Sequence, residues 1–292
     1  MKTTLIVGGD SLLGKALLSY VDDPQDLLIT SRRIGVENRV YLNLDDPNFE
    51  LDLSIAPKVA YFFAGCTNIE FCEEEFDKSR NINCCQTLKF ISELVSRGAF
   101  VVWVSSSAVF SGDVPWPNED SKPSPTTSYG KQKQETELSI LNSPILSKNV
   151  AIVRLTKVIS AKSGIVFKFI SELKAGNKLS AFGDLKFTPI SLVFVCRSLI
   201  SIASKRSPGI FHLSGEKEFT YAEFATAINC IINESEDMVV PTSTSDVGIK
   251  VNYKPKHSGL GMSKTNLILG LEPESQNHLI AAVLKESNEY SN

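Results

Sequence analysis

The stretch TTLIVGGDSLLGKALLSY, residues 3–20, joins a short apolar run to a glycine-rich turn and then to a helical pattern. TTLIVGG (3–9) reads as a buried strand and SLLGKALLSY (11–20) as a helix. Between them, Gly8-x-x-Ser11-x-x-Gly14 is a GxxGxxG with its middle glycine replaced by serine. Glycine lets the backbone turn tightly and come close to a pyrophosphate, whose charge the helix N-terminus meets. A strand-to-helix turn with no ligand can have the same spacing, so the motif is weak by itself. Its position strengthens it, because it follows the first strand of a chain that alternates strand and helix. Gly8, Asp10, Ser11, Leu12, Leu13 and Gly14 are therefore candidate cofactor-binding residues.

Further along come the apolar runs DLLITS (26–31), RVYLNL (39–44), KVAYFFAG (58–65), AFVVWVSSS (99–107) and NVAIVRLT (149–156). A long helical stretch from about Phe71 to Arg97 and a helix from Tyr129 to about Leu141 separate the later ones. Continuous apolar strands with helices between them imply a parallel sheet covered on both faces, with right-handed crossovers. The second half reads as helix GIVFKFISELKAG, strand KLSAF, helix SLVFVCRSLISIAS, strand GIFHLSG, helix TYAEFATAINCIIN and a last helix near 274–286. Residues 234–258 are polar, turn-rich and irregular. The expected fold is α/β: a Rossmann-like doubly wound parallel sheet over residues 1–157, with a smaller mixed α/β C-terminal substrate lobe over 158–292. The two lobes would share a cleft.

Composition sets the outer bounds. The 292 residues are 42% hydrophobic and 22% charged with net charge −3, which gives no reason to expect nucleic acid or an anionic membrane as partner. No apolar run reaches 18 residues, and the glycine-rich start resembles neither a signal peptide nor a membrane span, so a cytoplasmic location is expected. Cys66, Cys72, Cys84, Cys85, Cys196 and Cys230 show no metal-like spacing and read as reduced thiols. With three unclustered histidines, no metal site is expected.

Strand two ends in Thr30-Ser31-Arg32-Arg33. An acidic residue here would bond the adenosine ribose hydroxyls and select NAD, whereas Ser31, Arg32 and Arg33 suit a 2′-phosphate. NADP is the expected cofactor and NAD the alternative. A second pattern is TTSYGKQK (126–133), in which Tyr129 and Lys133 stand four apart and so share one face of a helix. A phenol beside an ammonium makes a proton donor with a stabilised phenolate. A surface tyrosine next to a solvated lysine gives the same four-residue spacing.

Strand five ends in VSSSAVFSG (104–112), followed by DVPWPNEDSKPSPTTSYGKQK (113–133). A glycine loop, a serine-rich strand end, a proline loop and YGxxK in this order resemble the extended short-chain dehydrogenase/reductases. Within them the chain is most similar to the dTDP-4-dehydrorhamnose reductase family. AFGDLKFTP (181–189) and KPKHSGLGMSK (254–264) resemble that family's substrate-lobe segments. The strand-two Arg-Arg, GAFVVWVSS (98–106) and GIFHLSG (209–215) also resemble the regulatory subunit of methionine adenosyltransferase.

The resemblance implies that Ser106 is the catalytic Ser/Thr, Tyr129 the acid and Lys133 its partner. It implies that the cofactor lies along Ala64 and Gly65, that Asn83 supports the active-site geometry, and that Ser107, Asp184, Lys186, Lys256 and His257 meet the substrate. Lys133 and the oxidised nicotinamide are both expected to lower the pKa of Tyr129, and the Ser11 hydroxyl to reach a cofactor phosphate. The implied activity is NADP-dependent reduction of a nucleotide-activated keto-sugar for surface polysaccharide or deoxysugar biosynthesis, by a protein for which a homodimer is compatible. Rival readings are a nucleotide-sugar epimerase or dehydratase of the same fold, and a non-catalytic NADP-binding regulatory subunit. Departures fall near the sugar: Ser107 and Ala108 stand where the family has Asp and Tyr, Lys157 replaces an aromatic, and Leu260-Gly261 replaces Leu-Asp.

Overall fold

The computed structural model describes residues 4–21, 26–46, 56–162, 164–233, 237–249, 251 and 253–289. Strands β1 (Thr4–Val7), β2 (Leu27–Ser31), β3 (Val40–Tyr41), β4 (Val59–Phe62), β5 (Phe100–Ser106) and β6 (Val150–Leu155) run parallel. The chain leaves this sheet for β7 (Lys157–Ile159), β8 (Leu179–Phe182), β9 (Lys186–Phe187) and β10 (Pro189–Ser191), and returns to it as β11 (Gly209–Leu213). The strand order is β11-β6-β5-β4-β1-β2-β3. The order reverses between β1 and β4, the switch point at which open α/β sheets bind ligands.

Helices cover both faces, as the uninterrupted apolar strands require. Leu5 and Val7 of β1 face a core completed by Phe90, Ile91 and Leu94 of one helix and Ile140 of another. Ile6 between them faces the opposite core, with Leu17, Val195, Leu199 and Ile202. This is the two-residue period of a strand buried on both sides. Each such side chain contributes about 1.5–3 kcal/mol by leaving water. The helices are α1 (Leu12–Leu17), α2 (Ile69–Glu74), α3 (Phe76–Arg80), α4 (Thr87–Ser96) and α5 (Ser128–Asn142) in the first half. α6 (Gly164–Lys174), α7 (Leu192–Lys205), α8 (Tyr221–Asn233), α9 (Ser263–Leu269) and α10 (Gln276–Glu289) follow.

The second lobe has its own core, built from Phe169, Ile170, Leu173, Phe224, Ile228, Leu279, Ile280 and Val283. Around it, β7 pairs with β10, β9 with β12 (Phe219–Thr220), and β8 with β13 (Val239–Thr242). The architecture matches the expected class, a Rossmann-like sheet with a smaller mixed α/β lobe.

Three expectations need correction. A boundary at residue 157 does not separate the lobes, because α7 and β11 return to the first core: Val195 and Phe211 lie in it together with Ile6. Segment 234–258, read as irregular, contains β13, which pairs with β8 over four residues; residues 234–236, 250 and 252 of it lie outside the described residues. The long helix expected at 71–97 is broken into α2, α3, a π-helical turn at Asn81–Gln86, and α4.

Candidate active site

The glycine loop is fixed by close packing. Gly8 has φ +85°, and a Cβ there would lie 2.8 Å from the backbone nitrogen of Ala64 on the end of β4. A Cβ on Gly14 would lie 2.5 Å from the Gly8 carbonyl oxygen, so only glycine lets α1 start this close to the loop. Ser11 caps α1, its Oγ accepting the Gly14 N–H at 3.0 Å. The serine that replaces the middle glycine thus has a structural task, and its hydroxyl proton remains available to a ligand.

Beside this loop lies a cleft of about 680 Å³ at the C-terminal ends of β1, β2, β3 and β4. Gly8, Asp10, Ser11, Ser31, Arg32, Ala64 and Gly65 line it, all expected from the sequence. Asn43, Asp45, Cys66, Asn68, Phe71 and Lys78 line it too and were not expected. Asn43 and Asp45 follow β3 directly, so the rule that ligands sit at strand C-termini would have found them. Arg33 does not itself line the cleft: its guanidinium pairs with the cleft residue Asp10 at 3.0 Å and its side chain is 64% exposed.

Ser106, Tyr129 and Lys133 come together at the ends of β5 and α5. Thr127 caps α5 by accepting the Gly130 N–H at 3.1 Å, and Glu73 holds the first turn by accepting the Ser128 N–H and hydroxyl at 2.7 and 2.6 Å. The Ser106 Oγ accepts the Ala108 N–H at 3.1 Å and faces the Tyr129 phenol closely enough to pull its pKa down. Tyr129 is buried against Cys72, Ala108, Ile69 and Cys66, the last of which also lines the cleft. Burial pushes the phenol up to about 12, against the Ser106 hydrogen bond, which pulls it down. Lys133 donates to the Val104 carbonyl at 2.9 Å and lies 4.6 Å from the Trp103 ring centroid. Burial lowers its pKa to about 8, with the Glu137 carboxylate acting the other way. Its ammonium is 5.8 Å from the centre of the Tyr129 ring.

Asn83, in the π-helical turn, clamps the peptide after Gly65. Its Oδ1 accepts the Cys66 N–H at 2.8 Å, while Nδ2 donates to the Cys66 carbonyl at 2.9 Å and to Gln132 Oε1 at 2.8 Å. Gln132 passes the chain of bonds to Ser79 at 2.8 Å. A π turn shifts the helical register at one place, and such turns recur at functional sites.

A buried polar chain that sequence reading missed ties this group to the C-terminal segment. Ser105 donates to Glu137 at 2.6 Å, and Glu137 pairs with Arg154 at 2.6 Å with both side chains almost fully enclosed. Arg154 Nη1 lies 3.3 Å from His212 Nε2 and His212 Nδ1 lies 2.8 Å from the Gly261 carbonyl. Arginine only donates, so His212 is neutral with its proton on Nδ1; burial, with the Arg154 charge, lowers its pKa to about 4. One signal was available: a lone arginine inside the apolar strand VAIVRL needs a buried partner.

The expected substrate residues divide. Ser107 and His257 line one narrow crevice with Phe110, Tyr253 and Gly259, between the loop after β5 and the C-terminal segment. That loop docks closely: a Cβ on Gly259 would lie 2.4 Å from the Trp116 ring, and one on Gly112 2.3 Å from Pro255. Asp184 does not line the crevice; it pairs with Lys254 at 2.7 Å and accepts from Thr244 Oγ1 at 2.7 Å, and these partners hold its pKa down at about 2. Lys186 is exposed on β9, and Lys256 is 78% exposed with Asp113 at 3.8 Å. Asp184 thus meets the 254–258 segment through Lys254, while Asp184, Lys186 and Lys256 do not line the crevice that holds Ser107 and His257. All six cysteines are free, with Cys66 and Cys72 sulfurs 4.0 Å apart. Among the described residues no helix is long and apolar enough to cross a membrane, and no three metal-ligating side chains converge.

Comparison with known proteins places this geometry. The spore coat polysaccharide biosynthesis protein SpsK of Bacillus subtilis (strain 168) is 29% identical over 208 residues, 70% of this chain and 71% of that protein. The methionine adenosyltransferase 2 subunit beta of Danio rerio is 24% identical over 287 residues, 94% of this chain and 87% of the relative. A crystal structure of dTDP-4-dehydrorhamnose reductase from Bacillus anthracis in complex with NADP superposes with TM-score 0.80 at 22% identity, covering 98% of this chain and all of the other. The family model described as RmlD substrate binding domain matches residues 1–289, so the chain belongs to that family.

Proposed function

We propose that the chain is an NADP-dependent reductase of a nucleotide-activated keto-sugar, serving surface polysaccharide or deoxysugar synthesis. The observation that carries this reading is the buried Ser106–Tyr129–Lys133 group, whose tyrosine packs against Cys66 of a cleft that a glycine loop frames. The residues present fit a dinucleotide: the cleft has the size of a ligand site, and the Gly8 and Gly14 contacts keep side chains out of the loop. Gly8, Ser11, Ser31, Arg32, Ala64 and Gly65 would hold it, and Lys133 its nicotinamide ribose. Asn83 holds the lining residue Cys66 without lining the cleft itself, and Leu12 and Leu13 do not line it. A bound reduced nicotinamide supplies the hydride.

The chain's own residues manage the oxygen. Ser106 donates to the sugar carbonyl and holds it beside Tyr129. As the carbonyl carbon gains hydride, its oxygen becomes an alkoxide, and the Tyr129 hydroxyl delivers the proton that yields the alcohol. The raised pKa keeps Tyr129 protonated, and so able to donate, across the neutral range. SpsK, named for polysaccharide synthesis, and the NADP-bound reductase support this reading. The methionine adenosyltransferase subunit supports the rival, a non-catalytic NADP-binding subunit.

The test is NADPH oxidation with a panel of nucleotide 4-keto-sugars. Turnover with one of them is expected; NADPH binding with no turnover on any would install the regulatory reading. A pH profile adds a second check. Lys133 is an ammonium below about 8 and a neutral amine above it. Because the proposed role uses the cation, kcat/KM should hold on the acid side and fall above about pH 8. Lys133→Arg, cationic at every accessible pH, should remove that limb; a limb left in place would assign it to another group.

A further inference from the structure

We propose that Asp10 sets cofactor specificity: from the glycine loop it places a carboxylate where the end of β2 would meet the adenosine 2′ substituent, and so opposes selection of a 2′-phosphate. The inference rests on the reductase reading only in taking the cleft as a dinucleotide site. The sequence Ser31-Arg32-Arg33 suits a phosphate, but the fold has already given it an anion. The single Ser31 hydroxyl proton goes to Asp10 Oδ2. Arg33 Nη2 lies 3.0 Å from Asp10 Oδ1 and Arg33 Nε 3.3 Å from Oδ2, while the Arg33 N–H donates to Ser31 Oγ at 3.0 Å.

The charges facing Asp10 come from two further elements. Arg39, just before β3, adds its positive charge, and its Nη1 is buried without a hydrogen bond among the described residues. Arg32 lines the cleft with Asp10 and Ser31. Asp10 is held in its charged form by Arg33 and Ser31, which lower its pKa. A 2′-phosphate carries roughly −1.5 to −2 at neutral pH and would compete with this carboxylate for the same hydroxyl and guanidinium. A ribose 2′-hydroxyl meets no such competition, because it can donate to the carboxylate as it does to the acidic residue of NAD-selective sites. Arg32 favours the phosphate and Asp10 opposes it. The preference for NADPH over NADH is therefore smaller than Ser31-Arg32-Arg33 alone implies.

Asp10→Asn keeps the shape and an acceptor for Ser31 but removes the charge and releases Arg33. The experiment is calorimetric titration of the full chain and its variants with NADPH and NADH, reading the ratio Kd(NADH)/Kd(NADPH). Asp10→Asn should raise that ratio about tenfold or more, chiefly by tightening NADPH. Arg33→Met, which leaves the carboxylate uncompensated, should lower it. A purely structural role for the Asp10 contacts would weaken both dinucleotides together and leave the ratio in place, and that result would overturn the inference. Binding by the unsubstituted chain with an unmoved ratio sinks this inference alone. Failure of both dinucleotides to bind the unsubstituted chain sinks the reductase reading with it.

Discussion

Tyr129→Phe should lower kcat by about 10²–10⁴-fold while leaving NADPH affinity nearly unchanged, the range typical of a lost general acid. The ring stays packed against Cys72, Ala108 and Ile69, so the substitution removes only the hydroxyl that Ser106 contacts. Lys133→Met should damage both terms, because the same ammonium is assigned to the nicotinamide ribose and to the electrostatics of the proton donor. The decisive measurement is single-turnover hydride transfer by Tyr129→Phe. A rate near that of the unsubstituted protein would leave the buried tyrosine as packing and hand the lead to the regulatory-subunit reading.

Breaking the Glu137–Arg154 pair should have the largest effect on stability. Both side chains are almost wholly removed from water, at 2% and 1% exposure. Removing one partner leaves the other as an uncompensated buried charge, which typically costs about 3–5 kcal/mol. Arg154→Met should therefore lower the denaturant midpoint by the equivalent of that energy at unchanged m-value. Glu137→Gln should cost less, since an amide still accepts from Ser105. The double variant should cost clearly less than the sum of the singles, because no lone charge remains. Strict additivity would show that the two groups are not coupled. Glu137→Gln has a second readout: its carboxylate favours the Lys133 ammonium, so its removal should move the alkaline limb of the pH profile to lower pH.

Legibility in the sequence follows the range of the interactions concerned. β1, β5, β6 and β11 fall within a residue or two of their expected ends, because each is a continuous apolar run closed by polar residues. β7, β9, β10 and β12 were missed, since two or three residues carry no measurable period. α9 was missed because SKTNLIL, at seven residues, is too short to show a helical period. Ser106, Tyr129 and Lys133 were legible through order and spacing, whereas Gln132 was not: a glutamine on a polar helix gives no sign that it is 1% exposed and bonded to Asn83.

The sequence by itself determined the alternation of strand and helix, the glycine loop at the first crossover, and the one-turn spacing that puts Tyr129 and Lys133 on one face. These are contacts between residues a few positions apart, and the local pattern contains the information they need. Only the tertiary structure decided the partners of the charged groups. It joined Asp10 to Ser31 across 21 residues, Glu137 to Arg154 across 17 and Arg154 to His212 across 58. It also gave Asp184 to Thr244 and Lys254 rather than to the crevice that holds His257. The physical reason is that burial and distance fix which charge a charge must answer, and neither exists until the sheet has brought its strand ends side by side.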